Sequence, residues 1–341
     1  MSSAELDKSV KALSEAVTAA HAILILQPDS PDGDSLGSAL GLEEIFGDLG
    51  KTVVMYSYKA PESYLHGLEG WDRVSQDLPK AFDMVVLVDT GSPSLIKSAL
   101  EHHFAALTGK PFYIIDHHVA RQNFGFEVTE LVEEAVATSE FITRLCLELD
   151  WPISAPAADK LASALLSDSL GLTTSGTTAR SVEALAELTR RGANLYELYK
   201  TKREAGALTT DLLHLKGKLL ASVEFYEDGK LAVAEITPDM VAKYKDIAEP
   251  YTLILNEMQW TKGVELVAVF KNYGAKINVP LRSTTGVASA IAEKFGGGGH
   301  PNAAAYRCKT PMIRAEIDTL VQTFHDYLKD ETSAPLQHAQ S

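Results

Sequence analysis

Three runs of this sequence place metal-capable side chains where an apolar stretch stops. Ala22-Ile-Leu-Ile-Leu26 leads into Pro31-Asp32-Gly33-Asp34, Met84-Val-Val-Leu-Val88 leads directly into Asp89-Thr90, and Phe112-Tyr-Ile-Ile115 leads into Asp116-His117-His118. Carboxylates and imidazoles are ligands for divalent cations; this mixed set suits Mn²⁺, with Mg²⁺ or Co²⁺ as alternatives, and argues against a thiolate zinc site. Gathered without a cation, Asp32, Asp34, Asp89 and Asp116 would raise one another's pKa values and repel, and a metal ion removes that penalty. Each piece alone has an ordinary explanation. An Asp after a strand serves as a turn residue or helix N-cap, and Asp-x-Asp between Pro and Gly suits a tight turn. The pair His102-His103 follows Glu101 in a helical pattern and reads as a solvated face. The recurrence at successive run ends is what favours metal chemistry.

The elements that must position these groups follow from periodicity. Ala22–Leu26, Thr52–Met55, Met84–Val88 and Phe112–Ile115 are continuous apolar runs without alternation, the mark of parallel strands covered on both faces. Helical patterns lie between and after them: a first helix up to about Ala20, then Ser38–Leu49, Ser94–Leu107, Glu140–Leu149, Ala157–Leu166 and Ser181–Arg190, with Gly192 as a C-cap. The expected fold class is α/β, a doubly wound, mainly parallel sheet. In such a sheet ligands bind outside the carboxyl ends of the strands, where the three acidic runs would converge.

The style of the sequence changes after 193–216, a polar stretch that reads as a connecting helix. Ala221–Tyr226 and Leu231–Glu235 flank an Asp-Gly turn as a hairpin, and Val264–Phe270 with Ala275–Leu281 reads as a second strand pair. With helices at Val287–Phe295 and Thr310–Leu328, these make a smaller α/β domain, the active-site cleft lying between the two domains. Gly296 to Gly299 let backbone N–H groups approach an anion without Cβ obstruction. Pro301 is read as opening a new helix through Asn302-Ala303-Ala304, whose N-terminus favours phosphate. The expected domains are 1–192, the connecting helix 193–216, 217–330, and a disordered tail 331–341.

Composition excludes several classes. The 31 basic against 46 acidic residues give a formal charge of -15, which argues against a broad grip on long nucleic acid and leaves room for a small anion held locally. Cys146 and Cys308 are too far apart for a pair motif, which fits a reducing compartment. Ile23–Leu26 is too short for a signal sequence or a membrane span. The expectation is a cytoplasmic protein without membrane contact, a homodimer being left open.

Taken together, Pro31-Asp32-Gly33-Asp34-Ser35-Leu36-Gly37-Ser38, Asp89-Thr90, Asp116-His117-His118, Ser167-Asp168-Ser169 and Gly296-Gly297-Gly298-Gly299-His300 resemble the successive motifs of the DHH phosphoesterases. The last run resembles the DHH-associated C-terminal domain of the nanoRNase and pAp-phosphatase branch. The resemblance spans about Ile23 to Ala305. It implies that Asp32, Asp34, Asp89, His117 and Asp168 are ligands of a two-metal centre, with Asp89 bridging, and that His118 lies beside the reacting phosphate with Asp116 in the same motif. It further implies that Arg282 and Ser283 form a substrate-binding Arg-Ser, and that Gly297, Gly298, Gly299 and His300 hold phosphate. Asp168 follows only from the resemblance. The implied activity is hydrolysis of short oligoribonucleotides or linear dinucleotides to 5′-mononucleotides, and of pAp to AMP.

Two departures from the family pattern stand out. Family members usually carry a metal-binding histidine where this chain has Pro28, which has no side-chain donor; the first metal site is weakened unless Asp29, Gln27 or water substitutes. His21 lies too early in the first strand to replace it. Ala137-Thr138-Ser139-Glu140 also differs, at a place read as packing. The alternatives are a cyclic-dinucleotide phosphodiesterase and a nucleotide-binding protein with weakened or lost catalysis; a family II pyrophosphatase is disfavoured by the glycine-rich C-terminal motif.

Overall fold

The computed structural model describes residues 3–118, 122–205, 207–244, 249–274, 276–308 and 312–333. The chain divides into two compact units, Met1–Ala207 and Leu208–Ser341.

The first unit begins with α1 (Ser3–Ala19), β1 (Ala22–Leu26), α2 (Gly33–Asp48), β2 (Thr52–Tyr56) and β3 (Met84–Val88). It continues through α3 (Lys97–Thr108), β4 (Phe112–Asp116), β5 (Thr129–Val132), α4 (Thr138–Glu148), α5 (Ala155–Asp168), α6 (Ala179–Arg190) and α7 (Leu195–Ala205). Its five strands are all parallel in the order β2-β1-β3-β4-β5. Successive strand side chains alternate between faces: Ile23, Ile25, Val86 and Ile115 enter one core with α1, α2, α4, α5 and α6, and Leu24, Leu26, Leu87 and Ile114 enter another with Ala99 and Leu107 of α3. Covering on both faces is why the strands read as unbroken apolar runs. The chain leaves β1 toward β2 on one side, while β3 lies on the other, so β1 and β3 flank a topological switch point. Periodicity missed β5, an edge strand of four residues in which only Leu131 is fully buried.

Helix α2 starts five residues before the expected Ser38 because Asp32 caps it. The Asp32 carboxylate accepts from the N–H groups of Asp34 and Ser35, while the Asp32 N–H donates to Ser35 Oγ, a reciprocal capping box. Gly33, Gly37 and Gly41 form a stripe on α2 that faces α5. A Cβ on Gly37 would lie 2.8 Å from Ala164 Cβ and 3.0 Å from the Lys160 carbonyl oxygen, so the two helices pack backbone to backbone only because the stripe is bare. That approach brings the last turn of α5, with Asp168, beside the first turn of α2, with Asp34.

The second unit contains α8 (Thr210–Ala221), β6 (Glu224–Tyr226), β7 (Leu231–Ile236), α9 (Pro238–Tyr244), a 3₁₀ turn (Pro250–Leu253), α10 (Leu255–Trp260) and β8 (Leu266–Asn272). Then follow β9 (Ile277–Ser283), α11 (Ala288–Lys294), β10 (Gly298–His300), β11 (Ala303–Arg307) and α12 (Ile313–Ser333). The six-stranded sheet has the order β10-β11-β9-β8-β7-β6, with β7 and β8 parallel and the other pairs antiparallel. Its two faces carry separate cores, one with α11 and α12, the other with α8, α9 and α10.

Two expectations are corrected. The connecting helix expected over 193–216 is two helices, α7 in the first unit and α8 in the second. The helix expected after Pro301 is absent: Pro301 and Asn302 form the turn of the β10–β11 hairpin, and Ala303–Arg307 pairs with β9. Helix propensity of the alanine run yields to strand pairing, and the argument from a helix N-terminus at this place lapses. Ala275 and Thr310, the expected starts of a strand and a helix, lie outside the described residues; so do 334–341 of the expected disordered tail, while α12 continues through Ser333. No helix among the described residues is long and apolar enough to cross a membrane.

Candidate metal centre

At the carboxyl end of the parallel sheet the acidic runs meet. Asp89 follows β3 with a left-handed φ of 55°, a conformation that Asp tolerates better than most residues, and its N–H donates to the Ile115 carbonyl at 2.9 Å. Asp116 ends β4, fully buried, and His117 and His118 follow it. His117 Nδ1 faces the Ala135 carbonyl at 3.0 Å. With the proton on Nδ1, Nε2 is a free donor atom for a cation, and it lies 3.5 Å from Asp89 Oδ1 and 3.6 Å from Asp168 Oδ2. His118 Nδ1 pairs with Asp116 Oδ1 at 2.7 Å, and half of its side chain is exposed.

Among the described residues, two groups each have donor atoms within 4.8 Å of one another: Asp34, His117 and Asp168, and Asp89, Asp116, His117 and His118. Asp34 is buried at the start of α4. It accepts from the N–H groups of Thr138 at 2.6 Å and Ser139 at 3.2 Å, and from Ser38 Oγ at 3.2 Å. Thr138 Oγ1 donates to Asp89 Oδ1 at 2.8 Å. The stretch 137–140, read as packing from the sequence, therefore holds two of the site's carboxylates. The sequence marked Thr138 and Ser139 only as part of a motif that departs from the family pattern, without pointing to their carboxylate partners.

Electrostatics reflect this crowding. Burial pushes the Asp34 carboxyl up to about 6, against relief from His117 and its hydrogen bonds. Burial, then the charges of Asp34 and Asp32, push Asp89 well above the usual carboxylate range. Asp168 is also raised, first by burial, with His117 and His118 pulling the other way. Three carboxyls that resist ionisation beside an oriented imidazole form a donor set that fits a divalent cation. His118 is raised because its hydrogen bond to Asp116 favours the protonated ring.

The remaining sequence-predicted residues fall as follows. Asp32 is the N-cap of α2, near enough for its charge to raise Asp89 and Asp168, yet it belongs to neither donor group. Pro28 offers only its carbonyl, which accepts from Ser57 Oγ at 3.0 Å. Asp29, one substitute considered for the missing histidine, has Oδ2 engaged by the Ser98 N–H in the first turn of α3. Gln27 is fully buried, and neither amide atom has a hydrogen-bond partner. In the second unit, Arg282 lies on β9 with Nη1 donating to the Leu281 carbonyl. The Ser283 hydroxyl donates to the Glu265 carbonyl at 2.8 Å and accepts from the N–H groups of Thr285, Gly286 and Val287, which makes it the knot of the turn before α11. Gly297 and Gly299 are required by packing, since a Cβ would lie 2.6 Å from Tyr306 Cβ or from Ala304 Cα respectively; Gly298 has open space and His300 is exposed.

Residues 22–177 match the DHH family, N-terminal domain, and residues 216–330 match the DHHA1 domain. The chain is 24% identical over 297 residues to the bifunctional oligoribonuclease and PAP phosphatase NrnA of Bacillus subtilis, covering 85% of this chain and 91% of that protein. It is 27% identical over 347 residues to the cyclic-di-AMP phosphodiesterase PdeA of Listeria monocytogenes, covering 94% of this chain and 50% of that protein. Among solved structures, an exopolyphosphatase-related protein from Bacteroides fragilis shares the fold with a TM-score of 0.79 at 21% identity, covering 95% of this chain and 96% of that one.

Proposed function

The chain belongs to the DHH family of phosphoesterases and carries a DHHA1 domain, and from that premise we propose that it hydrolyses short oligoribonucleotides or linear dinucleotides to 5′-mononucleotides, and pAp to AMP, with Mn²⁺ bound. The observation that carries this reading is the pairing of Asp34, His117 and Asp168 with Asp89 around the single imidazole of His117. The oligoribonuclease and PAP phosphatase name of the Bacillus subtilis relative supports the substrate class. Two unpaired cysteines fit a cytoplasmic setting.

A bound divalent ion would polarise the phosphoryl group and make water a nucleophile at neutral pH. Asp34, Asp89, His117 and Asp168 would hold it, with Thr138 and the start of α4 fixing two carboxylates and Ala135 fixing the ring of His117. Water attacks phosphorus, the P–O ester bond breaks, and the leaving oxygen needs a proton. His118 would give it, a role supported by Asp116, which holds Nδ1 and favours the protonated ring, leaving Nε2 as the donor. Arg282, Gly298 and His300 remain the proposed phosphate contacts of the second unit.

The experiment measures turnover of pApA, a two-nucleotide RNA, pAp and cyclic di-AMP by the full chain with added Mn²⁺, beside Asp89→Asn, which tolerates the left-handed backbone. Mononucleotide release from the linear substrates, falling more than about 100-fold in the variant, is expected for a lost ligand; turnover of cyclic di-AMP alone would move the assignment to a cyclic-dinucleotide phosphodiesterase. The absence of a side-chain donor at Pro28 favours one second reading, a nucleotide-binding protein with weakened catalysis. Metal content near one ion per chain without turnover would establish it.

A further inference from the structure

The second unit contains a cavity of about 520 Å³, within the range of roughly 300–1,000 Å³ that takes small ligands. Its polar floor is a row across three strands. Lys271 of β8 opposes Asn278 of β9, and Asn278 opposes Arg307 of β11. Opposed residues of antiparallel strands share a face of the sheet, so an ammonium, an amide and a guanidinium stand side by side. The neighbouring pair, Pro280 and Ala305, brings only compact apolar groups and keeps the rest of the floor low. Tyr251, on the 3₁₀ turn, and Phe295, after α11, add aromatic surface.

The three polar groups differ in what satisfies them. Lys271 Nζ is paired with Glu249 at 2.8 Å and sits 4.3 Å from the centre of the Tyr251 ring, so its charge is balanced and the ring is held in place. Asn278 Oδ1 is buried and has no hydrogen-bond partner among the described residues. A buried acceptor left without a donor is costly and is explained by a ligand N–H. Arg307 is exposed, and no carboxylate among the described residues pairs with it; a planar guanidinium suits phosphate. The cavity thus calls for a flat ring bearing an N–H donor, joined to an anionic group.

We propose that this cavity is a recognition site for a 5′-mononucleotide with an amino-bearing base. Asn278 Oδ1 accepts from the exocyclic amine, Tyr251 and Phe295 cover the ring, and Arg307 takes the phosphate. The proposal rests on the reading that the chain handles nucleotides, and assigns the second unit a base contact in addition to its phosphate contacts.

The test is calorimetric titration of the full chain with AMP in the presence of a chelator, so that binding is read without turnover. Asn278→Ala and Arg307→Ala are each expected to weaken AMP about tenfold or more, and ribose 5-phosphate to bind correspondingly worse than AMP to the unaltered chain. Arg307 is exposed, so its variant folds and keeps the comparison valid. AMP affinity unchanged in both variants, ribose 5-phosphate binding as tightly as AMP, or no AMP binding would each overturn the proposal. Turnover of pApA with Mn²⁺ reports separately: a chain that turns it over but fails these titrations loses the base site alone, and a chain that binds AMP through Asn278 without turnover loses the phosphodiesterase reading alone.

Discussion

The Asp34 carboxyl ionises with difficulty, and that has a measurable sign. Its folded pKa of about 6 lies above its ordinary value of 3.8. At pH values below the lower figure both folded and unfolded chains hold the proton, and the difference contributes nothing against folding. As pH climbs through 6 the unfolded chain is already ionised while the folded one resists, so stability is lost. Asp89 and Asp168 are shifted in the same direction, and His118, whose folded pKa is also raised, adds to the loss. The metal-free protein is therefore expected to melt at a lower temperature as pH rises from about 5 to about 7, and Mn²⁺ should reverse that slope by binding the folded state. Thermal scans with and without chelator check it; a metal-free protein that gains stability across this interval would remove the electrostatic case for the site.

At the level of elements, α2 and α5 do the positioning. Gly37→Leu should force them apart, costing about 1–3 kcal/mol of stability in urea unfolding, and should weaken metal binding by more than the stability loss explains, because Asp34 and Asp168 ride on the two separated helix ends. Unchanged metal affinity in a folded variant would disconnect the packing from the site. The same helices mark what the sequence could reveal. Strands β1, β3 and β4 were legible because both faces are covered, and Asp89, Asp116 and His117 because they follow those strands. Asp168 was legible only through family resemblance: a carboxylate at a helix end looks like any other until a bare glycine stripe brings it against a second helix. Thr138 and Ser139 were noticed as a family motif but their role was hidden, because their partners, Asp34 and Asp89, are remote in sequence. The hairpin β10–β11 was misread because glycines followed by proline and alanines imitate one helix ending and another starting; pairing of Ala303–Arg307 with β9 decides otherwise.

For the molecule as a whole, the formal charge of -15 opposes the arrival of any anionic substrate. Added salt should screen that repulsion, raising kcat/KM for pApA roughly two- to threefold between low and physiological ionic strength; a steep fall with salt would instead reveal an extended basic track. The bond between Asp34 and the start of α4 reaches further than the present chemistry. Ala137, the residue before that helix, has no side-chain acceptor, so Asp34 caps a helix as well as belonging to a metal-capable group. A lineage that abandoned turnover could not discard it without fraying α4. Asp168 accepts no hydrogen bond among the described residues and has no second duty of this kind. If the proposed hydrolysis is what position 168 serves, its erosion in descendants of this chain would signal that the activity has gone, whereas persistence at position 34 would signal only that the protein still folds.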